Sequence, residues 1–137
     1  MAAEQNEVGA SSEENGFWCK LTEVEVIETR GYARNFSYTY EIYYISGNNT
    51  YYICTYTINL TYSYTDSKAI ISNFKYTKGN VTSGYTVTGS TSTSNGNPGY
   101  ANLTVKVKEN RTGYSMTEVV QFKCKISGNV DIYSYRY

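Results

Sequence analysis

Two neighbouring stretches decide the fold: ARNFSYTYEIYYI at residues 33–45 and TYYICTYTINLTYSYT at residues 50–65. In both, large apolar or aromatic side chains stand at even positions, and most odd positions are small and polar. A period of two over this length is typical of a strand with one buried and one exposed face. The same reasoning along the chain predicts a core of Phe36, Tyr38, Tyr40, Ile42, Cys54, Tyr56, Ile58, Leu60, Leu103, Val105, Phe122 and Cys124.

The link between these two strands is predicted to be the three-residue loop Gly47-Asn48-Asn49. Side chains opposite each other in an antiparallel pair share a face, so even positions must oppose even positions. A loop with an odd number of residues satisfies this condition. Gly and Asn also tolerate the left-handed backbone that such loops contain.

Alternating or β-branched and aromatic residues continue through nearly all of the chain after Gly16, and no stretch shows a helical stripe. We predict an all-β antiparallel β-sandwich of about eight strands, immunoglobulin-like in general architecture, with a small β-barrel as the alternative. The Ser/Thr/Gly-rich run 89–99 has the composition of a flexible loop. The predicted strands are 17–29, 33–45, 50–65, 69–77, 81–88, 99–108, 114–126 and 130–136.

The chain is predicted to hold a disordered leader, 1–16, and a single sandwich domain, 17–137. The leader is acidic, and its Ala, Ser, Asn, Gly and Glu residues show no apolar period. It lacks the positive start and apolar centre of a signal peptide. The Tyr-, Thr- and Ser-rich body is nevertheless typical of secreted bacterial β-domains, so we expect a secreted or cell-surface location.

The composition argues against several functions. The sequence has no histidine, which is the commonest general base and metal ligand, so we predict neither an enzyme nor a metal or other cofactor. The net charge is zero and no recognition motif occurs, which disfavours nucleic acid as a partner. No apolar run is long enough for a helical membrane span.

Three cysteines, Cys19, Cys54 and Cys124, cannot all pair, and their spacing fits no zinc site. They can all be small buried hydrophobic residues, or Cys54 and Cys124 can form one disulfide between the sheets. A reactive thiol is the third interpretation, weakened because no histidine can activate it.

One acidic residue, Glu118, falls at a position of its strand that faces inward. A buried carboxylate needs a partner, because an unpaired charge in the core is costly. Arg34 and Arg136 also stand at inward positions, so either can pair with it. The other interpretations are a strand end or a bulge.

Exposed tyrosine is the main binding signal, and its first location is the tip of the 46–49 hairpin. Tyr43, Ile45, Tyr51 and Ile53 break the polar alternation at outward positions of the two strands. Together they would form one apolar patch. Such a patch suits a protein partner or a second copy of the chain.

The second location is the last strand, where Tyr133 and Tyr135 share a face. A three-residue turn before this strand would place them outward beside Lys123 and Lys125, whereas a two-residue turn would place them in the core. Outward lysines are typical of a solvated face and also fit an anionic glycan. The sequence does not distinguish between these two turn lengths.

Two functions fit these features. The first is a non-catalytic domain in protein contact, or a structural or adhesive module, with a weak homodimer as one form. The alternative is a carbohydrate-binding module that uses exposed tyrosines. In both, the partner is a protein or a glycan at the cell exterior.

The stretch Gly89–Asn129 combines a Ser/Thr/Gly/Asn run, Gly-Tyr-Ala, an alternating strand, a turn and a strand that ends in Cys-Lys-Ile-Ser-Gly-Asn. In this order of features it resembles an uncharacterised family of small secreted β-rich proteins of Gram-positive gut bacteria. The resemblance implies secretion and an all-β fold. It implies no activity and no functional residues.

Overall fold

The computed structural model describes residues 6–11, 16–28 and 33–137. Its elements are extended strands, as the alternating side chains predict. None of these residues belongs to a helix that is long and apolar enough to cross a membrane. The strands are β1 (Asn6–Ser11), β2 (Gly16–Glu28), β3 (Ala33–Ser46), β4 (Asn49–Tyr64), β5 (Ala69–Lys78), β6 (Tyr85–Ser94), β7 (Gly99–Glu109), β8 (Ser115–Cys124) and β9 (Val130–Arg136).

The strands form two antiparallel sheets that face each other, which confirms the predicted sandwich. One sheet has the order β1-β2-β3-β4-β5 and the other β6-β7-β8-β9, so each strand lies beside its neighbour in sequence. The likeness to immunoglobulin domains therefore lies in the two facing sheets and not in a Greek-key strand order. Outside the named strands, one isolated bridge, Ala69 to Gly96, links the sheets in the described part of the chain.

The predicted alternation of β3 and β4 is confirmed along most of their length. Even positions oppose even positions, for example Phe36 opposite Leu60 and Tyr38 opposite Ile58. All of the predicted core side chains are buried. Phe122 of β8 packs on Tyr38 across the interface, with ring centroids 4.9 Å apart, so the predicted core holds the two sheets together.

A β-bulge interrupts this alternation near the hairpin tip. Ile42 opposes Cys54, but the next residue, Tyr43, opposes Tyr52. Ile53 is thus an extra residue on β4 with no partner opposite it, as in a β-bulge. Beyond the bulge, every β4 side chain changes its face relative to the prediction.

The bulge also changes the turn. Ser46 opposes Asn49, which leaves a loop of two residues, Gly47 and Asn48, in place of the predicted three. Gly47 has a φ of 60°, the left-handed conformation that a type II′ hairpin turn requires at its first loop position. The one extra residue that the prediction placed in the loop therefore lies in β4, as the bulged Ile53.

The run 89–99, predicted to be a flexible loop, is a strand over half of its length. β6 pairs with β7 from Tyr85 to Ser94. The predicted strand 81–88 therefore starts four residues too early, because 81–84 lie before β6. Gly89 is suited to its position, because a Cβ there would lie 2.8 Å from the Tyr56 ring. Small residues here fit a strand that passes close over a large ring.

Part of the predicted leader is also a strand. Residues 6–11 form β1, which pairs with β2 from Asn6 opposite Glu23 to Ser11 opposite Cys19, so the prediction of disorder is wrong for them. Backbone pairing with the edge of β2 orders this segment without the apolar period that the sequence lacks. Residues 1–5 and 12–15 lie outside the described part of the chain.

Candidate functional site

The predicted apolar patch at the hairpin tip does not form. Ile53 is fully buried, because the bulge turns its side chain into the core. The same shift places Tyr51 opposite Tyr44 on the inner side of the sheet, with its ring 47% exposed. Tyr43 and Ile45 keep outer positions and are partly exposed. The prediction that these four residues share one surface is therefore wrong.

An aromatic row stands in its place on the outer face of the five-stranded sheet. It consists of Trp18 of β2, Tyr43 of β3 and Tyr52 of β4, which oppose one another in the ladder. The ring centroids lie 5.0 Å apart for Trp18 and Tyr43 and 5.6 Å apart for Tyr43 and Tyr52. Successive ring planes are tilted by 45° and 67°, so the row has a stepped profile.

Sequence reasoning missed Trp18 and Tyr52 as members of this site. The even-odd pattern predicts Tyr52 to face inward, which holds only without a bulge, and it assigns no binding role to Trp18. The apolar pair Ile53-Cys54 is not by itself a signal of the bulge, because Val119 and Val120 are adjacent and buried on β8 without one.

Polar groups border the aromatic row on the side toward the middle of the sheet. The Tyr43 hydroxyl donates to Glu41 Oε2 at 2.7 Å, and the hydroxyls of Tyr52 and Thr55 share a hydrogen bond. The bond to Glu41, with partial burial, raises the pKa of Tyr43 to about 12. Lys20 stands opposite Glu41 in the ladder. Hydroxyl and carboxylate groups thus lie beside the rings, and Lys20 stands at the neighbouring ladder position of the same face.

The backbone under Tyr52 is held in place by the segment that follows β5. Thr82 Oγ1 donates to the Tyr52 carbonyl at 2.8 Å, and the Thr82 N–H donates to the Ile53 carbonyl at 2.9 Å. The Gly79 N–H donates to the Thr55 carbonyl at 2.9 Å. The aromatic row therefore rests on a hydrogen-bonded sheet and is preorganised for binding.

The tyrosines of β9 lie on the opposite outer face of the sandwich. Tyr133 and Tyr135 are 50% and 54% exposed. The turn before β9 contains three residues, 126–128, and is closed by the Lys125 N–H, which donates to the Asn129 carbonyl at 3.0 Å. The outward alternative for the last strand is therefore confirmed.

The two lysines predicted beside these tyrosines share an acidic neighbour. Lys123 stands opposite Asp131 in the ladder, and Lys125 Nζ lies 3.0 Å from Asp131 Oδ2. Asp131 offsets part of the positive charge at this position. The surface there is less suited to an anionic polymer than the sequence suggested.

All three cysteines are buried free thiols, which confirms the first of the three interpretations and makes the alternative of a Cys54–Cys124 disulfide wrong. Cys54 Sγ lies 3.9 Å from the Gly79 carbonyl oxygen. Cys124 lies elsewhere, since Tyr62 donates to the carbonyl of its neighbour Lys125 at 2.9 Å. Tyr62 follows Cys54 by eight residues, about 26 Å along the strand, which is far beyond the reach of a disulfide.

Glu118 pairs with Arg136, which confirms one of the two predicted partners. The carboxylate is 1% exposed and accepts hydrogen bonds from the Tyr40 hydroxyl and, at 3.4 Å, from Arg136 Nε. Arg136 Nη1 also donates to the Phe17 carbonyl at 2.8 Å. Burial and the charge of Glu118 raise the pKa of the neighbouring Cys19 thiol. This cluster ties β9 to the other sheet and offers no opening to a substrate.

Comparison with protein-family models, curated proteins and solved structures gives no match to this chain. The resemblance to a family of secreted proteins stays a prediction. Among the described residues, no three Cys, Asp or Glu side chains gather in a way that could hold a metal ion. The aromatic row, with its polar border, is the candidate binding site.

Proposed function

We propose that this protein is a non-catalytic carbohydrate-binding domain at the cell exterior and that the aromatic row is its binding surface. The observation that carries the proposal is the combination of three rings on adjacent strands with bordering hydroxyl and carboxylate groups. A sugar has apolar C–H faces that pack on aromatic rings and hydroxyls that need hydrogen-bonding partners. The aromatic row and its border supply both.

The exposed side chains favour a sugar over a protein partner at this face. A stable protein interface needs about 800 Å² per partner around a largely apolar centre. Among the residues whose side-chain burial is described, Val26 is the one large exposed hydrophobic residue that is not a tyrosine. With Ile53 buried, the predicted contact patch loses one of its two isoleucines.

Other features support a non-catalytic, extracellular role. The sequence has no histidine, and the buried carboxylate of Glu118 is engaged by Tyr40 and Arg136. The Tyr-, Thr- and Ser-rich composition supports a location outside the cell, as does the resemblance to secreted proteins.

The proposal is tested on a glycan array, followed by calorimetric titration with the sugars that bind. We expect Trp18→Ala, Tyr43→Ala and Tyr52→Ala each to weaken binding by about tenfold or more, as aromatic anchors do in other interfaces. Tyr135→Ala is the control, because it removes an exposed tyrosine ring from the opposite face. Circular dichroism checks that each variant is folded.

Two results would overturn the proposal. One is an array without binding to any glycan by the folded wild-type protein. The other is sugar binding that survives all three substitutions in the aromatic row but is lost in Tyr135→Ala.

A second candidate function, protein contact, is favoured by the last strand. β9 is an edge strand, and Tyr135 and Tyr137 stack beside each other with centroids 6.1 Å apart. An edge with exposed rings can pair with another chain through backbone and side chains. Light scattering tests this: a dimer that Tyr135→Ala dissociates supports contact through β9, and a monomer at high concentration contradicts self-association there.

A further inference from the structure

A row of threonines crosses the same outer face, parallel to the aromatic row. Thr22 of β2, Thr39 of β3, Thr57 of β4 and Thr77 of β5 oppose one another in register. Thr22 is buried, Thr39 is partly exposed, and Thr57 and Thr77 are exposed. Thr39 lies four positions before Tyr43 on β3, which places this threonine row about 13 Å from the aromatic row.

The hydroxyls of the threonine row differ from their neighbours in hydrogen bonding. Toward the aromatic row, Thr55 shares a hydrogen bond with Tyr52. On the far side, Ser37 Oγ donates to Asn59 Oδ1 at 2.9 Å. The hydroxyls of Thr39, Thr57 and Thr77 make no side-chain hydrogen bond to any described residue, so they are open to a ligand.

Charged residues of both signs stand on this face. Lys20 opposes Glu41 between the aromatic row and the threonine row. Beyond the threonine row, Glu25 of β2 and Lys75 of β5 stand in one cross-strand line. These four positions carry two acidic and two basic residues, so they give an anionic polymer no electrostatic advantage.

We propose that the ligand is an extended, uncharged glycan chain that runs along β3 and β4 from the aromatic row to the threonine row. This inference rests on the proposed function and names its substrate class. The rings of Tyr43 and Tyr52 pack against sugar faces at one end, and the hydroxyls of Thr39 and Thr57 bond to sugar hydroxyls at the other. A single sugar reaches only one end, whereas a chain contacts both.

The first test is a series of ligand lengths. Calorimetric titration uses cello-, xylo- and manno-oligosaccharides of two to six units, with oligogalacturonates as the anionic counterpart. In the series that binds, we expect affinity to rise with length until the chain covers both rows, and we expect neutral chains to bind more tightly than the anionic ones.

The second test changes hydroxyls without changing shape. Thr57→Val and Thr39→Val keep the β-branched side chain and remove one hydrogen-bonding group each, which should weaken binding of the longest oligosaccharide about two- to tenfold. Binding of the disaccharide should stay unchanged. Thr88→Val is the matched control, because Thr88 is an exposed strand threonine on the other sheet.

The outcomes separate this inference from the proposed function. Equal affinity for two and six units, a preference for oligogalacturonates, or no effect of both Thr→Val substitutions would overturn the extended neutral ligand and leave sugar binding intact. No binding to any of the four series, with an empty glycan array, would overturn both.

Discussion

The Tyr40 hydroxyl of β3 donates a hydrogen bond to the Glu118 carboxylate of β8, across the interface between the two sheets. Burial of both side chains raises the pKa of Tyr40, with smaller contributions from Cys19 and Glu118. Arg136 completes the cluster from β9 and bonds in turn to the Phe17 carbonyl of β2. The polar centre of the sandwich thus connects four strands.

This arrangement predicts a strong effect of Arg136→Ala on stability. The substitution removes the guanidinium beside the buried Glu118 carboxylate, which should lower the free energy of unfolding by about 3–5 kcal/mol. The double variant Glu118→Gln/Arg136→Met removes both charges, keeps an acceptor for Tyr40 and should recover much of the loss. Urea unfolding measures all three proteins. If the unfolding free energy of Arg136→Ala lies within about 0.5 kcal/mol of the wild-type value, the stabilising role of the Glu118–Arg136 pair is contradicted.

The free thiols predict a simple chemical result. Burial raises the pKa of all three cysteines, to about 12 for Cys124, so the thiolate that reacts is scarce in the folded state. We expect a thiol reagent to label no cysteine in the native protein and all three in denaturant without reductant. A single reactive thiol in denaturant would instead show that a disulfide forms.

The contact between Gly89 and Tyr56 predicts a coupled pair of mutations. A Cβ at Gly89 would lie 2.8 Å from both Cε2 and the hydroxyl oxygen of Tyr56, so Gly89→Ala should cost about 1–3 kcal/mol. Tyr56→Phe should be nearly neutral alone, because its buried hydroxyl has no partner among the described groups. In the double variant it should relieve part of the Gly89→Ala cost.

Tyr76→Phe is the matched control for this pair. The Tyr76 hydroxyl donates to the Gly89 carbonyl at 2.8 Å, so its removal should cost about 0.5–1.5 kcal/mol where Tyr56→Phe costs little. Thermal and urea unfolding of the single and double variants complete the cycle. Strict additivity of Gly89→Ala and Tyr56→Phe would contradict the steric contact.

Regular alternation made most of the fold predictable from the sequence. Phe36 opposite Leu60 follows directly from the even-odd pattern, because a one-residue slip would expose the whole apolar face. The second half of β6, residues 89–94, could not be predicted in this way. Its Ser, Thr and Gly residues have loop composition, and they form a strand because β7 supplies a partner along their full length.

The candidate site was harder to predict because it depends on the position of one extra residue. Ile53 moves Tyr52 to the outer face, where it meets Tyr43 and Trp18. No local propensity of Ile53 signals this change, since the bulge forms only when β4 pairs with β3. The site is a product of strand pairing, whereas the core is a product of alternation alone.

The bond between Tyr43 and Glu41 gives a prediction at the site itself. The carboxylate accepts from the neutral phenol, which raises the pKa of Tyr43 from its ordinary value of 10 to about 12. Glu41→Gln removes the negative charge and keeps the shape, so the pKa of Tyr43 should fall toward 10. Nuclear magnetic resonance of tyrosine labelled with carbon-13 at Cζ measures the titration, and Tyr43→Phe assigns the signal.

The same shift has a defined sign for stability. The pKa of Tyr43 is higher in the folded than in the unfolded chain, so the bond stabilises the fold fully below about pH 10, and the contribution is lost as the pH rises through about 12. Between these values, the wild-type protein should lose more unfolding free energy than Glu41→Gln does. Because both Tyr43 and Glu41 belong to the candidate site, an unchanged Tyr43 titration in Glu41→Gln would show that the polar border of the aromatic row is not formed as described.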